Sequence, residues 1–174
     1  MSDPDPLALL EAPFAEGALP PPEGPVAILA ARPSPALRAL GTRLIHAQTL
    51  RPLHDALIAE GRETVPRLAP EAGPFAAVLV VADRSREATR ARLAEAVARA
   101  APGAPVLLAG ARTDGIDGHR RALRGALAPA GIALEGLSRA HGRALWWRRP
   151  ADPLPPPLAE TLAAWRAAAR PAPG

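Results

Sequence analysis

One short stretch gathers the residue types that bind anions or transfer protons. Residues 110–123 read GARTDGIDGHRRAL and hold three glycines, two aspartates, one histidine and three arginines. Glycine-rich turns and arginines bind phosphates, and aspartate and histidine are general acids or bases. The glycine spacing matches neither the dinucleotide pattern G-x-G-x-x-G nor the phosphate loop G-x-x-x-x-G-K-[ST]. We therefore favour a turn that begins a helix, and a ligand-binding loop is the alternative.

The residues that follow this turn predict how the helix begins. Its start is expected near Asp114 or Gly115, with Asp114 as an N-cap that accepts a backbone N–H from residue 116 or 117. Asp117 would then lie near the positive end of the helix dipole and reach Arg121 at i,i+4. Apolar residues recur behind the turn at helical spacing, namely Ile116, Leu123 and Leu127.

Other reactive side chains do not form a recognisable site. No two histidines stand at i,i+4 and none stands beside a plausible carboxylate pair, so we predict no metal site. No serine lies in a G-x-S-x-G sequence and cysteine is absent, which argues against a hydrolase triad, a disulfide and a thiolate metal site. The residues considered were His46, His54, His119, His141, Ser34, Ser85 and Ser138.

Apolar runs and helical patterns alternate along the chain. They predict an α/β fold with an open, doubly wound, mostly parallel sheet, helices on both faces and an antiparallel strand near the C-terminal end. The clearest unit is the strand at 75–83, a helix at about 85–101 capped by Asp83 or Ser85, and the strand that ends at 111. A Glu95–Arg99 pair is expected on that helix. Further strands are predicted at 26–31, 42–49, 132–137 and 143–149, helices at 53–61 and 158–169, and a connection at 62–74.

Two tryptophans, Trp146 and Trp147, are neighbours on a predicted strand and should point to opposite faces of the sheet. Trp165 lies on a later alanine-rich helix, where it either docks that helix or binds a partner.

The charge of the chain leaves two interpretations open. The net charge is +4, and all 21 basic residues are arginine. We favour a solvated surface over RNA contact, because aromatic residues are scarce and the arginine excess resembles a codon bias. No apolar run is long enough to span a membrane, so a cytoplasmic protein is expected. The candidate RNA contacts are Arg120, Arg121, Arg124, Arg143, Arg148 and Arg149.

Two segments resemble a known family. The first is the turn at Thr113–Asp117, and the second is Ser138–Trp147, which has a Ser-x-Ala-His-Gly sequence around His141 and Gly142. Both are similar to the N-terminal half of the small-subunit (16S) ribosomal RNA guanine-N2 methyltransferase C family, in its alphaproteobacterial branch. The resemblance covers about residues 25–149. Members combine two methyltransferase-like domains, of which the second binds S-adenosylmethionine and the first is a degenerate copy.

The resemblance implies a division of the chain and a role. Residues 1–24 would be a proline-rich tail with a short helix at 7–15, residues 25–150 the degenerate methyltransferase-like domain, and residues 151–174 a linker and helix leading to an absent catalytic domain. That catalytic domain would be the intramolecular partner, and ribosomal RNA a further one. The domain would support catalysis without performing it.

The residues themselves also argue against cofactor binding. The first strand is followed by Arg32-Pro33-Ser34-Pro35, where a cofactor site needs a glycine-rich turn. The second strand is followed by Gln48 and Thr49, where an acid is needed. The strand at 75–82 is followed by Asp83-Arg84, where an Asn-Pro-Pro-aromatic motif is needed. We expect no S-adenosylmethionine in this chain. Two alternatives remain, a free-standing nucleotide- or small-molecule-binding protein that uses residues 110–118, and a protein-interaction module that uses Trp165.

Overall fold

The computed structural model describes residues 4–170, which form one seven-stranded sheet with helices on both faces. The strands are β1 (Val26–Leu29), β2 (Leu44–Ala47), β3 (Thr64–Val65), β4 (Ala77–Val81), β5 (Pro105–Ala111), β6 (Glu135–Arg139) and β7 (Gly142–Arg148). The helices are α1 (Pro6–Ala15), α2 (Arg51–Ala59), α3 (Arg86–Arg99), α4 (Ile116–Leu127) and α5 (Pro156–Ala168). Short 3-10 turns occupy Arg38–Leu40, Arg112–Asp114 and Ala128–Ala130.

The sheet has the order β3-β2-β1-β4-β5-β7-β6. Strands β1 to β5 pair in parallel, whereas β7 is antiparallel to both β5 and β6. Every residue of β1, β4 and β5 is buried, as expected for parallel strands covered on both faces. The predicted fold class is confirmed, including the antiparallel end.

Two hydrophobic clusters lie on the two faces of the sheet. Helices α1 and α2 cover one face, and α3, α4 and α5 cover the other. Trp147 belongs to the cluster under α3, α4 and α5, and Trp146 belongs to the cluster under α1 and α2. The prediction that these tryptophans point to opposite faces is confirmed.

The local predictions around α3 are also confirmed. The Ser85 hydroxyl caps the helix by accepting the backbone N–H of Ala88 at 3.2 Å. Asp83 has a different role, because its carboxylate accepts the backbone N–H of Ser85 at 2.8 Å before the helix begins. Glu95 and Arg99 form the expected i,i+4 ion pair at 3.9 Å.

The ends of the described chain contribute to the core. The helix expected at 7–15 forms as α1, and its Leu7, Leu9 and Leu10 are buried against the sheet. Residues 6–15 are therefore a packed layer of the fold and not a tail, because burial of three leucines stabilises them there. Leu158 and Leu162 of α5 are buried in the same way.

Two further observations complete the fold. Strand β3 lies inside 62–74, where only a connection was predicted; with two residues it is too short to leave an apolar pattern in the sequence. Within residues 4–170, no helix has the length and apolar character needed to cross a membrane.

Candidate functional site

A cleft of about 750 Å³ opens between the turns that follow β4 and β5. Because β4 and β5 are parallel neighbours, their carboxyl ends meet at one edge of the sheet, and the first turns of α3 and α4 lie beside each other there. We call this space the arginine cleft. Five arginines line it, namely Arg84, Arg86, Arg90, Arg112 and Arg121.

The arginine cleft carries an excess of positive charge. Arg86 pairs with its exposed neighbour Glu87 at 3.6 Å, and Arg112 pairs with Asp117 at 3.9 Å. Among the described residues, no carboxylate lies within 4.0 Å of the other three guanidinium groups. Asp114 is the one carboxylate of residues 4–170 that lines the cleft.

His119 forms part of the wall of the arginine cleft and is 2% exposed. Its Nδ1 atom is buried and has no hydrogen-bond partner in the described part of the chain. Burial, together with the nearby positive charges of Arg90 and Arg86, lowers the pKa of His119 to about 4, against the opposing effect of Asp83. The imidazole is therefore neutral near pH 7, with an unsatisfied polar atom next to cations.

Arg90 reaches the cleft from α3 and is held by α5. Its guanidinium lies 5.7 Å from the centre of the Trp165 ring, which is within the range of a cation–π contact. Burial and the charge of Arg86 lower the pKa of Arg90. Its Nε atom is buried and, within residues 4–170, has no hydrogen-bond partner. Trp165 thus docks α5, one of the two roles considered for it.

Asp114 does not cap α4, and the capping prediction is wrong. Its carboxylate accepts the backbone N–H of Ala111 at 3.2 Å, because Asp114 is the last residue of the 3-10 turn at Arg112–Asp114 and does not directly precede the helix. The residue that precedes α4 is Gly115, which has a left-handed φ of 76° and provides no side-chain cap. A Cβ at Gly115 would have no atom within 4 Å, so the helix start faces open space.

Asp117 also has a different partner from the predicted one. It accepts a hydrogen bond from Nε of Arg143 at 2.9 Å, whereas its predicted partner was Arg121. The strand β7 brings Arg143 beside the first turn of α4, and this contact competes successfully with the local i,i+4 pair. Arg121 is left exposed on the cleft side of α4.

The Ser-x-Ala-His-Gly segment has a structural role in this region. The backbone N–H of Arg112 donates to the carbonyl of His141 at 3.0 Å, which ties the β5–α4 turn to the β6–β7 hairpin. A Cβ at Gly142 would lie 2.6 Å from Cγ of Pro4 and 2.8 Å from Cδ1 of Leu9. Glycine at 142 therefore lets α1 pack closely on β7.

The six arginines proposed as RNA contacts do not share one surface. Arg121 lines the arginine cleft, and Arg120 and Arg143 lie on a neighbouring surface near Ser138. Arg148 lies at the opposite end of β7 from Gly142, and the rise of a strand places the two residues about 20 Å apart. Arg124 is exposed on α4.

Arg149 is not available to RNA in this structure, which corrects its assignment as a contact. It is 7% exposed. Its guanidinium donates to the carbonyls of Val97 and Pro150, both at 2.7 Å, and to the Asp152 carboxylate at 3.0 Å. It anchors the chain between β7 and α5, because a buried arginine needs this full set of acceptors.

Sequence reasoning missed three of the five arginines of the cleft, Arg84, Arg86 and Arg90, whereas Arg112 lies in the 110–118 loop that was the ligand-binding alternative. Each follows or lies close to the carboxyl end of β4 or β5, and adjacent parallel strands bring such turns together. That rule was a usable signal for Arg84, Arg86 and Arg112. The sequence contains no such signal for Arg90, because only the position of α5 places it in the cleft wall.

The turn after β1 is closed by contacts with α1. The Ser34 hydroxyl donates to the Asp5 carboxylate and accepts the backbone N–H of Ala36 at 3.1 Å. The backbone N–H of Leu37 donates to the Glu11 carboxylate at 2.5 Å. These three donors of the turn are thus used inside the protein.

Polar side chains that follow β2 and β4 are also bonded within the protein. Gln48 is buried; its amide nitrogen donates to the carbonyl of Ala31 at 2.7 Å and its amide oxygen accepts the N–H of Leu50 at 2.8 Å. The Asp83 carboxylate after β4 forms an ion pair with Arg92. Among the described residues, no group of three or more metal-ligating side chains is found.

Comparison with solved structures identifies the fold. A T. thermophilus 16S rRNA N2 G1207 methyltransferase (RsmC), solved with AdoMet and guanosine, is 20% identical over 87% of this chain and 41% of its own, with a TM-score of 0.60. A Streptococcus thermophilus rRNA methylase is 8% identical over 87% of this chain and 100% of its own, with a TM-score of 0.55. The Aquifex aeolicus tRNA (m1A58) methyltransferase TrmI is 10% identical over 87% of this chain and 71% of its own, also with a TM-score of 0.55.

These likenesses establish the fold and nothing finer. The chain has the fold of S-adenosylmethionine-dependent methyltransferases, and it spans less than half the length of the T. thermophilus enzyme. No protein-family model and no curated protein matches the sequence.

Proposed function

We propose that this chain is a non-catalytic, methyltransferase-like domain of an S-adenosylmethionine-dependent rRNA guanine-N2 methyltransferase of the alphaproteobacterial type. It supports a C-terminal catalytic domain and helps to position RNA. One observation carries the proposal: the polar groups that follow β1, β2 and β4, where this fold binds its cofactor, are bonded to other groups of the protein. A cleft of about 540 Å³ remains beside them, and after β2 it is lined by Gln48 and Thr49 in place of an acid.

The turn after β1 is the first part of this argument. A cofactor site in this fold needs a glycine-rich turn, whose backbone N–H groups approach the ligand. Here Pro33 and Pro35 remove two donors, and the N–H groups of Ala36 and Leu37 are bound to Ser34 and Glu11. These residues do not fit S-adenosylmethionine.

The ends of β2 and β4 support the same conclusion. A carboxylate after β2 would hold the ribose hydroxyls, and the side chain there is Gln48, whose amide is bonded to the backbones of Ala31 and Leu50. After β4 the position of a base-holding motif is taken by Asp83, which pairs with Arg92. These three differences support the absence of a cofactor site, and no catalytic step is assigned to this chain.

Calorimetry with S-adenosylmethionine tests the missing cofactor site. We expect no micromolar isotherm for this chain, and a clear one for the T. thermophilus methyltransferase measured in the same buffer as a positive control. A micromolar isotherm for this chain would contradict the non-catalytic assignment.

RNA binding tests the positioning role separately. Contacts between arginines and phosphates release counterions, so affinity for a 16S rRNA fragment should fall steeply between low and moderate salt. Filter binding measures this slope. An affinity that stays constant over the same salt range would rule out an electrostatic RNA contact without affecting the cofactor result.

A further inference from the structure

The arginine cleft has no function in the arrangement described so far. It combines five arginines with one lining carboxylate, and that carboxylate, Asp114, is already bonded to the backbone of Ala111. Like charges held together repel, so this cluster lowers stability unless an anion neutralises it. These five arginine side chains remain exposed or half-buried, and none of them forms an ion pair in the protein core.

Hydrogen-bond donors converge on the same space. Three of the five guanidinium groups have no carboxylate partner in the described residues, and a guanidinium matches the oxygens of a phosphate in a bidentate way. The start of α4 adds backbone N–H groups that no side chain caps. Gly115 and Gly118 line the approach, so an anion can reach these amides without meeting a side chain.

His119 supplies an independent sign of a ligand. A histidine that is 2% exposed normally has partners for its ring nitrogens, and this one has an unpartnered Nδ1 in the wall of the cleft. Arg90 presents a second buried donor without a partner, its Nε atom. Unsatisfied buried polar atoms on facing helices are expected where a bound group completes the hydrogen bonds.

We propose that the arginine cleft is a phosphate-binding site in which Arg84, Arg90 and Arg121 hold the phosphate oxygens at the start of α4. The volume of about 750 Å³ accommodates a phosphate together with an attached nucleoside. The phosphate belongs either to an RNA backbone or to a free nucleotide. Only the RNA source rests on the proposed function; the site itself follows from the geometry.

Bound phosphate should also change the titration of His119. The two cations that lower the pKa of this imidazole, those of Arg90 and Arg86, would be neutralised by the anion. The pKa of His119 should therefore rise when phosphate binds, and NMR of its ring protons measures this change.

The test compares two double variants that lose the same charge. Arg84→Gln with Arg121→Gln removes two exposed arginines of the cleft, and Arg38→Gln with Arg166→Gln removes two exposed arginines elsewhere. None of the four forms an ion pair within residues 4–170, so neither variant should unfold below the wild-type thermal midpoint. The cleft variant should unfold at or slightly above it, because it loses like-charge repulsion. Inorganic phosphate, guanosine 5′-monophosphate and a short RNA oligonucleotide are the probes.

We expect the cleft variant to lose about tenfold or more in affinity for inorganic phosphate and the control to stay near wild type. Tighter binding of RNA than of phosphate, lost in the cleft variant, identifies an RNA backbone as the source. If the mononucleotide binds more tightly than phosphate and RNA does not bind, the phosphate site is supported and the proposed role in RNA positioning is contradicted. Equal affinities of the two variants, or a His119 pKa unmoved by phosphate, would overturn the site.

Discussion

Arg90 and Trp165 join α3 to α5 through a cation–π contact of 5.7 Å, and this contact holds one wall of the arginine cleft. The two residues are far apart in the sequence and meet because α5 packs on α3 beside the cluster under α3, α4 and α5. The position of the cleft arginine thus depends on the last helix of the described chain.

Replacement of Trp165 by alanine should lower the free energy of unfolding by about 2 kcal/mol, because it removes packing area and the cation–π contact. Trp165→Phe retains an aromatic face and should cost less. Urea denaturation of Trp165→Ala, Arg90→Gln and the double variant gives the coupling, expected at about 0.5–1 kcal/mol. A coupling of zero would mean that the two side chains are merely close.

Replacement of Asp114 by alanine should lower the free energy of unfolding by about 1 kcal/mol, since the backbone N–H of Ala111 loses its acceptor. Asp114→Asn keeps an acceptor oxygen and should be closer to wild type. Amide exchange identifies the affected group: Ala111 should exchange faster in Asp114→Ala, with Ile116 and Asp117 unchanged. Faster exchange at 116 and 117 alone would restore the capping interpretation.

His119 should make the folded state less stable as the pH falls from about 6.5 to about 4. Its pKa is lowered to about 4 in the folded protein and is 6.5 ordinarily, so between these values the unfolded chain binds the proton and the folded one does not. The difference corresponds to about 3 kcal/mol. The contribution of His119 to the free energy of unfolding is fully present above about pH 6.5 and is lost below about pH 4.

Urea denaturation across this pH range measures the effect of His119. The His119→Gln variant should show a shallower loss of stability than wild type, and His54→Gln, at a half-buried position on α2, should follow wild type. A His119→Gln curve parallel to wild type would show that the buried imidazole does not control this range.

Replacement of Gly142 by alanine should lower the free energy of unfolding by about 1–3 kcal/mol, because the new Cβ would lie 2.6 Å from Cγ of Pro4 and displace α1. Gly125→Ala on α4 is the matched control. Its Cβ would meet no atom within 4 Å, so helix propensity should raise stability by up to about 1 kcal/mol. Thermal unfolding compares the two variants, and equal stabilities would disprove the close approach of α1.

The sequence determined the elements of the sheet because burial on both faces leaves a direct signal. Continuous apolar runs marked β1, β4 and β5, and the helical pattern between β4 and β5 required a parallel crossover. The alternation along β7 placed Trp146 and Trp147 on opposite faces. Ser85 was recognised as a cap because that interaction involves only residues close together in the chain.

Only the tertiary structure decided the contacts between distant segments. Asp117 had a local partner in Arg121 and took Arg143, since β7 lies beside the first turn of α4. Arg149 was indistinguishable from its exposed neighbour Arg148 until the fold surrounded it with acceptors. The arginine cleft draws on α3, α4 and the turns before them, and α5 positions Arg90. Local sequence patterns carry no information about these long-range contacts, because the choice among possible partners depends on the packing of the whole sheet.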